Sequence, residues 1–134
     1  MEKENTYKPS RPWTPHAGRE TEELAESLFY TRIRQQGVFA DFITFRLKGE
    51  RYHTLATGDL QELFFEPSEG IVCFFRFGIV KIKGRNLKDL HTHLRDRRIT
   101  EIREFSGKPD LLFEPEALFI QSILYESENM MRLQ

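Results

Sequence analysis

Lys83-Gly84-Arg85-Asn86, with Lys81 two positions earlier, is the place in this chain where cations and unpaired backbone amides can converge. On a strand, Lys81 and Lys83 share one face. Asn86 is a good N-cap for a helix starting beside it, and the first N–H groups of a helix have no partner inside it. Cations, free amides and the positive end of the helix dipole together describe a generic anion site. A phosphate, a carboxylate or the acidic loop of a partner protein would fit. The bland reading of the same residues is a charged strand edge that resists aggregation.

That corner belongs to a wider basic block. Residues 71–105 hold nine Lys and Arg against four Asp and Glu, inside a chain whose net charge is −1. Arg76, Arg95, Arg97 and Arg98 extend the positive surface, and Phe74, Phe75 and Phe77 lie among these cations as a stacking platform would. Nucleic-acid binding is therefore the alternative reading of the block. Asp89, Asp96, Glu101 and Glu104 dilute its charge, and no RNP-type signature accompanies it.

Catalytic signatures are missing. His91 and His93 have an HxH spacing that would suit a metal on a strand. On a helix the two point about 200° apart and cannot chelate one ion. His53 and Cys73 could meet across strands, but Cys73 lies in the most apolar run, where a thiol behaves as a small hydrophobe. Asp41, between Ala40 and Phe42, reads as an edge or turn acid, and Glu62, Glu66 and Glu69 as a solvated rim. No GxSxG, HExxH, P-loop or GxGxxG occurs. An enzyme with its site at His53 or Cys73 stays a third class without a positive signature. No catalytic residue, metal ligand or cofactor follows from the sequence.

Composition bounds the rest. With 134 residues the chain suits one domain, and 39% hydrophobic with 31% charged residues describes a globular protein, not a disordered one. A near-neutral charge argues against a general nucleic-acid or membrane binder. Cys73 is the single cysteine, which excludes an intramolecular disulfide and a Cys-based zinc site. MEKENTYKPSRPW has no apolar core like that of a signal peptide, and no window is long enough to span a membrane, so a cytoplasmic address is expected.

The elements that must position these groups follow from periodicity. Residues 1–18 read as an extended arm, with Pro9, Pro12 and Pro15 at the polyproline II repeat. Leu24, Ala25, Leu28, Phe29 and Ile33 recur at helical steps between Glu20 and Gln36, with Gly37 as a C-cap, although Phe29, Thr31 and Ile33 also alternate like a strand. Alternating runs divided by Lys48-Gly49-Glu50, Pro67-Ser68-Glu69-Gly70 and Gly78 suggest five antiparallel strands connected in order as a meander. Leu87, Leu90 and Leu94 mark a short helix over 86–97. RITEIREF reads as a strand, and ALFIQSILYE as a strand or a buried helix.

The expected fold is thus α+β: an N-terminal helix, a five-stranded antiparallel meander rolled like a barrel, then a short helix and one or two further strands. The domain would cover 19–126, followed by a tail at 127–134. Phe64-Phe65 and Phe74-Phe75 put an aromatic on each side of the sheet, so one apolar face needs a cover beyond the helices. The expected function is a small, non-catalytic binding and assembly module that forms homo-oligomers through that face.

Overall fold

Alternate side chains of the strands point into a core shared by two sheets, and the chain crosses between those sheets where the sequence pattern shows no break. The computed structural model describes residues 28–107 and 115–127. The arm at 1–18, the expected helix as far as residue 27, and the tail beyond Ser127 lie outside the described residues.

Strands β1 (Tyr30–Arg32), β2 (Phe42–Leu47), β3 (Arg51–Ala56) and β7 (Ile99–Arg103) form the first sheet, in the order β1-β7-β2-β3. Strands β4 (Leu60–Glu66), β5 (Gly70–Phe75), β6 (Gly78–Arg85) and β8 (Phe119–Ser127) form the second, in the order β4-β5-β6-β8. A single helix within the described residues, α1 (Lys88–Arg95), lies between β6 and β7. The molecule is therefore mostly β, which corrects the α+β expectation in three respects.

The helix expected over Glu20–Gln36 does not continue through its described half. Leu28 and Phe29 keep helical backbone, but Tyr30–Arg32 is extended and pairs antiparallel with β7, Tyr30 opposite Ile102. A strand forms there because a long-range partner satisfies the backbone, but its buried member is Tyr30 and Thr31 is exposed, so the alternation of Phe29, Thr31 and Ile33 does not set its faces. Phe29 then packs its ring edge-on against Phe119, at 5.4 Å between centroids.

The expected meander also divides. β2 and β3 form one hairpin, and a 3₁₀ turn at Thr57–Asp59 carries the chain into the second sheet. The Thr57 hydroxyl donates to the Ala40 carbonyl at 2.7 Å and its amide to the Asp41 carbonyl at 2.9 Å, which pins the crossing to the start of β2. β4, β5 and β6 continue as a true meander, and β8 adds antiparallel to β6. The ALFIQSILYE run is therefore a strand. β7 inserts between β1 and β2 and runs parallel to β2, a pairing that requires the long crossover through the second sheet and the helix.

Finally, the helix is shorter than 86–97, and Leu87, not Asn86, occupies its N-cap position without a side-chain cap. Its stripe of Leu87, Leu90 and Leu94 is buried as the spacing requires. Ile43, Phe45 and Leu47 of the first sheet meet Ile71, Cys73, Phe75, Val80 and Ile82 of the second in one core. The Phe45 and Phe75 rings cross edge-on at 6.0 Å where the layers touch.

Both open sides of this sandwich are closed. On one, α1 reaches β4 and β1, with His91 stacked on Phe65 at 5.2 Å and His93 against Tyr30 at 5.9 Å. On the other, His53 of β3 lies against Tyr125 of β8 at 4.3 Å. Glu104 ties the layers together, one carboxylate oxygen accepting from the Lys48 amide at 2.6 Å and the other from the Ile123 amide at 2.8 Å. Gly84 is required by close approach, since a Cβ there would collide with the Phe119 carbonyl.

Candidate functional site

The residues of the expected anion corner are adjacent in chain but differently employed. Lys81 and Lys83 stand exposed on the outer face of the second sheet. A register shift between Lys83 and Gly84 separates them from Arg85, whose guanidinium lies over the Phe119 ring at 5.0 Å. Asn86 has a φ of 57° and donates its side-chain amide to the carbonyls of Pro115, at 2.7 Å, and Ala117, at 2.8 Å. Its polar group holds the entry to β8 and does not cap the helix.

Arg95, Arg97 and Arg98 gather at the end of α1, while Arg76 lies in the β5–β6 turn. Arg95 bonds Asp96 at 3.0 Å and thereby holds the Asp96 carboxyl below its usual pKa. Arg98 donates to the Val38 carbonyl at 2.7 Å. Arg97, at positive φ, lies over Phe39 and reaches the Thr57 hydroxyl at 3.4 Å. Arg76 lies over Phe77 at 5.9 Å, and its amide bonds the Asp59 carbonyl at 2.8 Å. Arg76 and Arg97 therefore both border the 3₁₀ turn.

The candidate catalytic groups do not share a cavity. Cys73 is sealed in the core, where burial pushes its thiol up to about 12. His53 is occupied with Tyr125, and Asp41 is exposed ahead of β2. His91 and His93 contact different rings, and no three His, Cys, Asp or Glu side chains among the described residues could hold a metal ion. A groove of about 460 Å³ does lie between the β2–β3 turn and the exit of β7. Two of its polar lining groups, Glu104 and Arg103, are committed to the fold. Glu104 spends both oxygens on backbone amides, and Arg103 donates to the Leu28 carbonyl and the Thr31 hydroxyl, each at 3.0 Å. Burial draws the Arg103 pKa down, with neighbouring Glu101 opposing it.

What remains are two sheet faces turned to solvent. Register places Phe64, Val72, Lys81 and Leu124 in one row across the second sheet, and Glu62, Phe74, Ile79 and Glu126 in the next. Phe64 is 47% exposed and Leu124 50%. Phe64 with Val72 and Phe74 with Ile79 are directly paired, whereas Lys81 stands between Val72 and Leu124. Leu124 therefore joins the group only on the diagonal to Ile79, and Glu62 and Glu126 lie on the flanking strands.

On the first sheet, Phe42 faces Ala56, Thr44 faces Thr54, and Arg46 faces Tyr52. Glu101 of β7 reaches Arg103 at 3.4 Å and Arg46 at 3.9 Å. Here large apolar groups stand apart in a polar field. The ring of Phe39 is exposed, although strand alternation through 39–47 would turn it to the same side as buried Ile43 and Phe45. The chain at 38–41 is not a strand, so Ala40 turns inward in its place. Tyr52 could have been found from its place opposite Arg46, had the hairpin register been known.

No helix among the described residues is long and apolar enough to cross a membrane. No protein-family model, no curated protein and no solved structure matches this chain.

Proposed function

We propose that this protein is a small cytoplasmic, non-catalytic binding and assembly module that self-associates through the outer face of the second sheet. The observation that carries the reading is the apolar patch of Phe64, Val72, Phe74 and Ile79, with Leu124 on its diagonal beyond Lys81, on four neighbouring strands; Phe64 and Leu124, its outermost members, are about half exposed. Isolated exposed apolar residues need no explanation, but a contiguous patch with a polar rim marks an interaction surface. A second copy suits it because the rim carries both signs. Lys81 and Lys83 supply cations, and Glu62, Glu66 and Glu126 supply anions. A two-fold contact would bring each copy's lysines against the other's acids, so the anionic partner of Lys81 and Lys83 is the acidic rim itself.

The patch is modest. Four strands at ~4.8 Å spacing and six residues at ~3.3 Å give a footprint of about 400 Å² per copy. A standard interface buries about 800 Å² per partner, so association by this face alone is concentration-dependent. The cytoplasmic assignment is supported by the presence of a single cysteine, Cys73, buried in the core. Sedimentation velocity over a dilution series tests the reading. The expected outcome is a reversible shift from dimer to monomer that Phe64→Lys with Leu124→Lys moves wholly to monomer. A monomer at every concentration would overturn it.

A further inference from the structure

Among the described residues, the four most exposed large hydrophobic side chains are all aromatic: Phe42 at 59%, Phe77 at 57%, Tyr52 at 55% and Phe39 at 54%. None belongs to the apolar patch of the second sheet. Three of them carry an arginine over the ring: Arg46 at 5.3 Å from Tyr52, Arg97 at 5.8 Å from Phe39, and Arg76 at 5.9 Å from Phe77. The placement is connected. Tyr52 and Phe42 share the outer face of the first sheet, separated by the Thr44–Thr54 pair, whose hydroxyls bond at 2.9 Å. Phe42 is three residues from Phe39, and the 3₁₀ turn fastened to Ala40 and Asp41 also holds the amide of Arg76, beside Phe77.

Rings spaced apart, three of the four with a guanidinium, fit a chain of planar groups joined by anions. From this we infer that the outer face of the first sheet and its 3₁₀ end bind single-stranded nucleic acid, with bases stacked on Tyr52, Phe42, Phe39 and Phe77 and phosphates met by Arg46, Arg97 and Arg76. Unstacked bases offer a face to every such ring, whereas bases inside a duplex do not. A protein partner would ask for a continuous apolar centre emptied of water, and here threonine hydroxyls interrupt the rings. The surface is not uniformly basic. Asp41, Asp59 and Glu101 lie along it, and Glu101 shares Arg46. Binding therefore depends more on stacking than on charge. With two or three phosphates neutralised, the logarithmic salt slope is shallow, about −1.4 to −2 for a single strand.

Fluorescence anisotropy of the full chain with labelled oligothymidylate and oligouridylate, beside a labelled duplex hairpin, tests this. The expected result is saturable single-strand binding, little duplex binding and the shallow slope. Phe42→Ala and Tyr52→Ala, exposed and so compatible with folding as checked by circular dichroism, each raise Kd about tenfold. The variant carrying Phe64→Lys and Leu124→Lys keeps single-strand binding, which separates this site from the self-association face. Absence of single-strand binding at low salt, equal affinity for the duplex, or a Kd unmoved in a folded Phe42→Ala, Tyr52→Ala double variant would overturn the assignment and leave a protein partner as the surface's occupant.

Discussion

On the outer face of the second sheet, Phe64, Val72, Phe74, Ile79 and Leu124 occupy adjacent strands in two neighbouring rows. On the outer face of the first, Phe42 and Tyr52 are separated by a pair of threonines. Both faces obey the same alternation of strand side chains, and both leave hydrophobic groups in water. What differs is lateral continuity. Touching side chains already shield one another and release more water when a matching surface arrives, whereas isolated rings offer planes for stacking and keep their polar neighbours wet. The arginines sharpen the contrast. On the first sheet and its 3₁₀ end they lie over exposed rings, while the patch of the second sheet carries Lys81 and Lys83, and Arg85 beyond it lies over the half-buried Phe119.

The largest effect comes from removing what both faces stand on. Phe45 is fully buried and meets Phe75 where the sheets touch. Phe45→Ala should cost about 3–5 kcal/mol in chemical denaturation and abolish self-association and strand binding together. Loss of one activity with the other intact would show that the faces do not share one core. Next in size is the second-sheet patch. Phe64→Lys with Leu124→Lys should weaken dimerisation by about a thousandfold, as for two interface residues worth about 2 kcal/mol each, and leave thermal stability of the monomer nearly unchanged.

Glu104→Ala should be milder. It removes a carboxylate that accepts from both the β2–β3 turn and β8, costing about 1.5–3 kcal/mol while leaving both faces functional. Loss of one face alone would mean that Glu104 aligns that face specifically. The smallest effect concerns Cys73. Its thiol is raised by burial from 9.0 to about 12, so the stability linked to the neutral thiol is present below 9 and lost as pH rises through 12. At neutral pH the thiol should react with alkylating agents only as fast as the protein unfolds, with and without oligonucleotide. Rapid alkylation would place Cys73 outside the core beneath the second sheet.

Much of the strand content could be read from residue patterns, and the sheet assignment could not. Ile43, Phe45 and Leu47 point inward as their alternation requires, Gly70 takes a φ of 113° at the end of the Pro67 turn, and the leucine stripe of α1 is buried. Two adjacent hairpins, however, look the same in sequence whether they share a sheet or face each other across a core. The crossing depends on Thr57 bonding Ala40, seventeen positions earlier, which local periodicity does not record. Tyr30–Arg32 became a strand because β7 was available to pair with it. Asn86 has ideal capping chemistry, yet the carbonyls of Pro115 and Ala117 claim its amide from a distant part of the chain. The aromatic pairs at 64–65 and 74–75 correctly pointed to apolar groups on both sides of a sheet. The rings at Phe39, Phe42 and Tyr52 needed three dimensions, because the register of β2 with β3 and the non-strand segment at 38–41 bring them to one surface.

Amide and methyl chemical shifts followed through a dilution series test most directly whether the second sheet is the self-association surface. Concentration-dependent shifts should concentrate at Phe64, Val72, Phe74, Ile79, Lys81 and Leu124 and spare Phe42, Thr44 and Tyr52. Shifts that appear on the first sheet, or nowhere across the range, would contradict it.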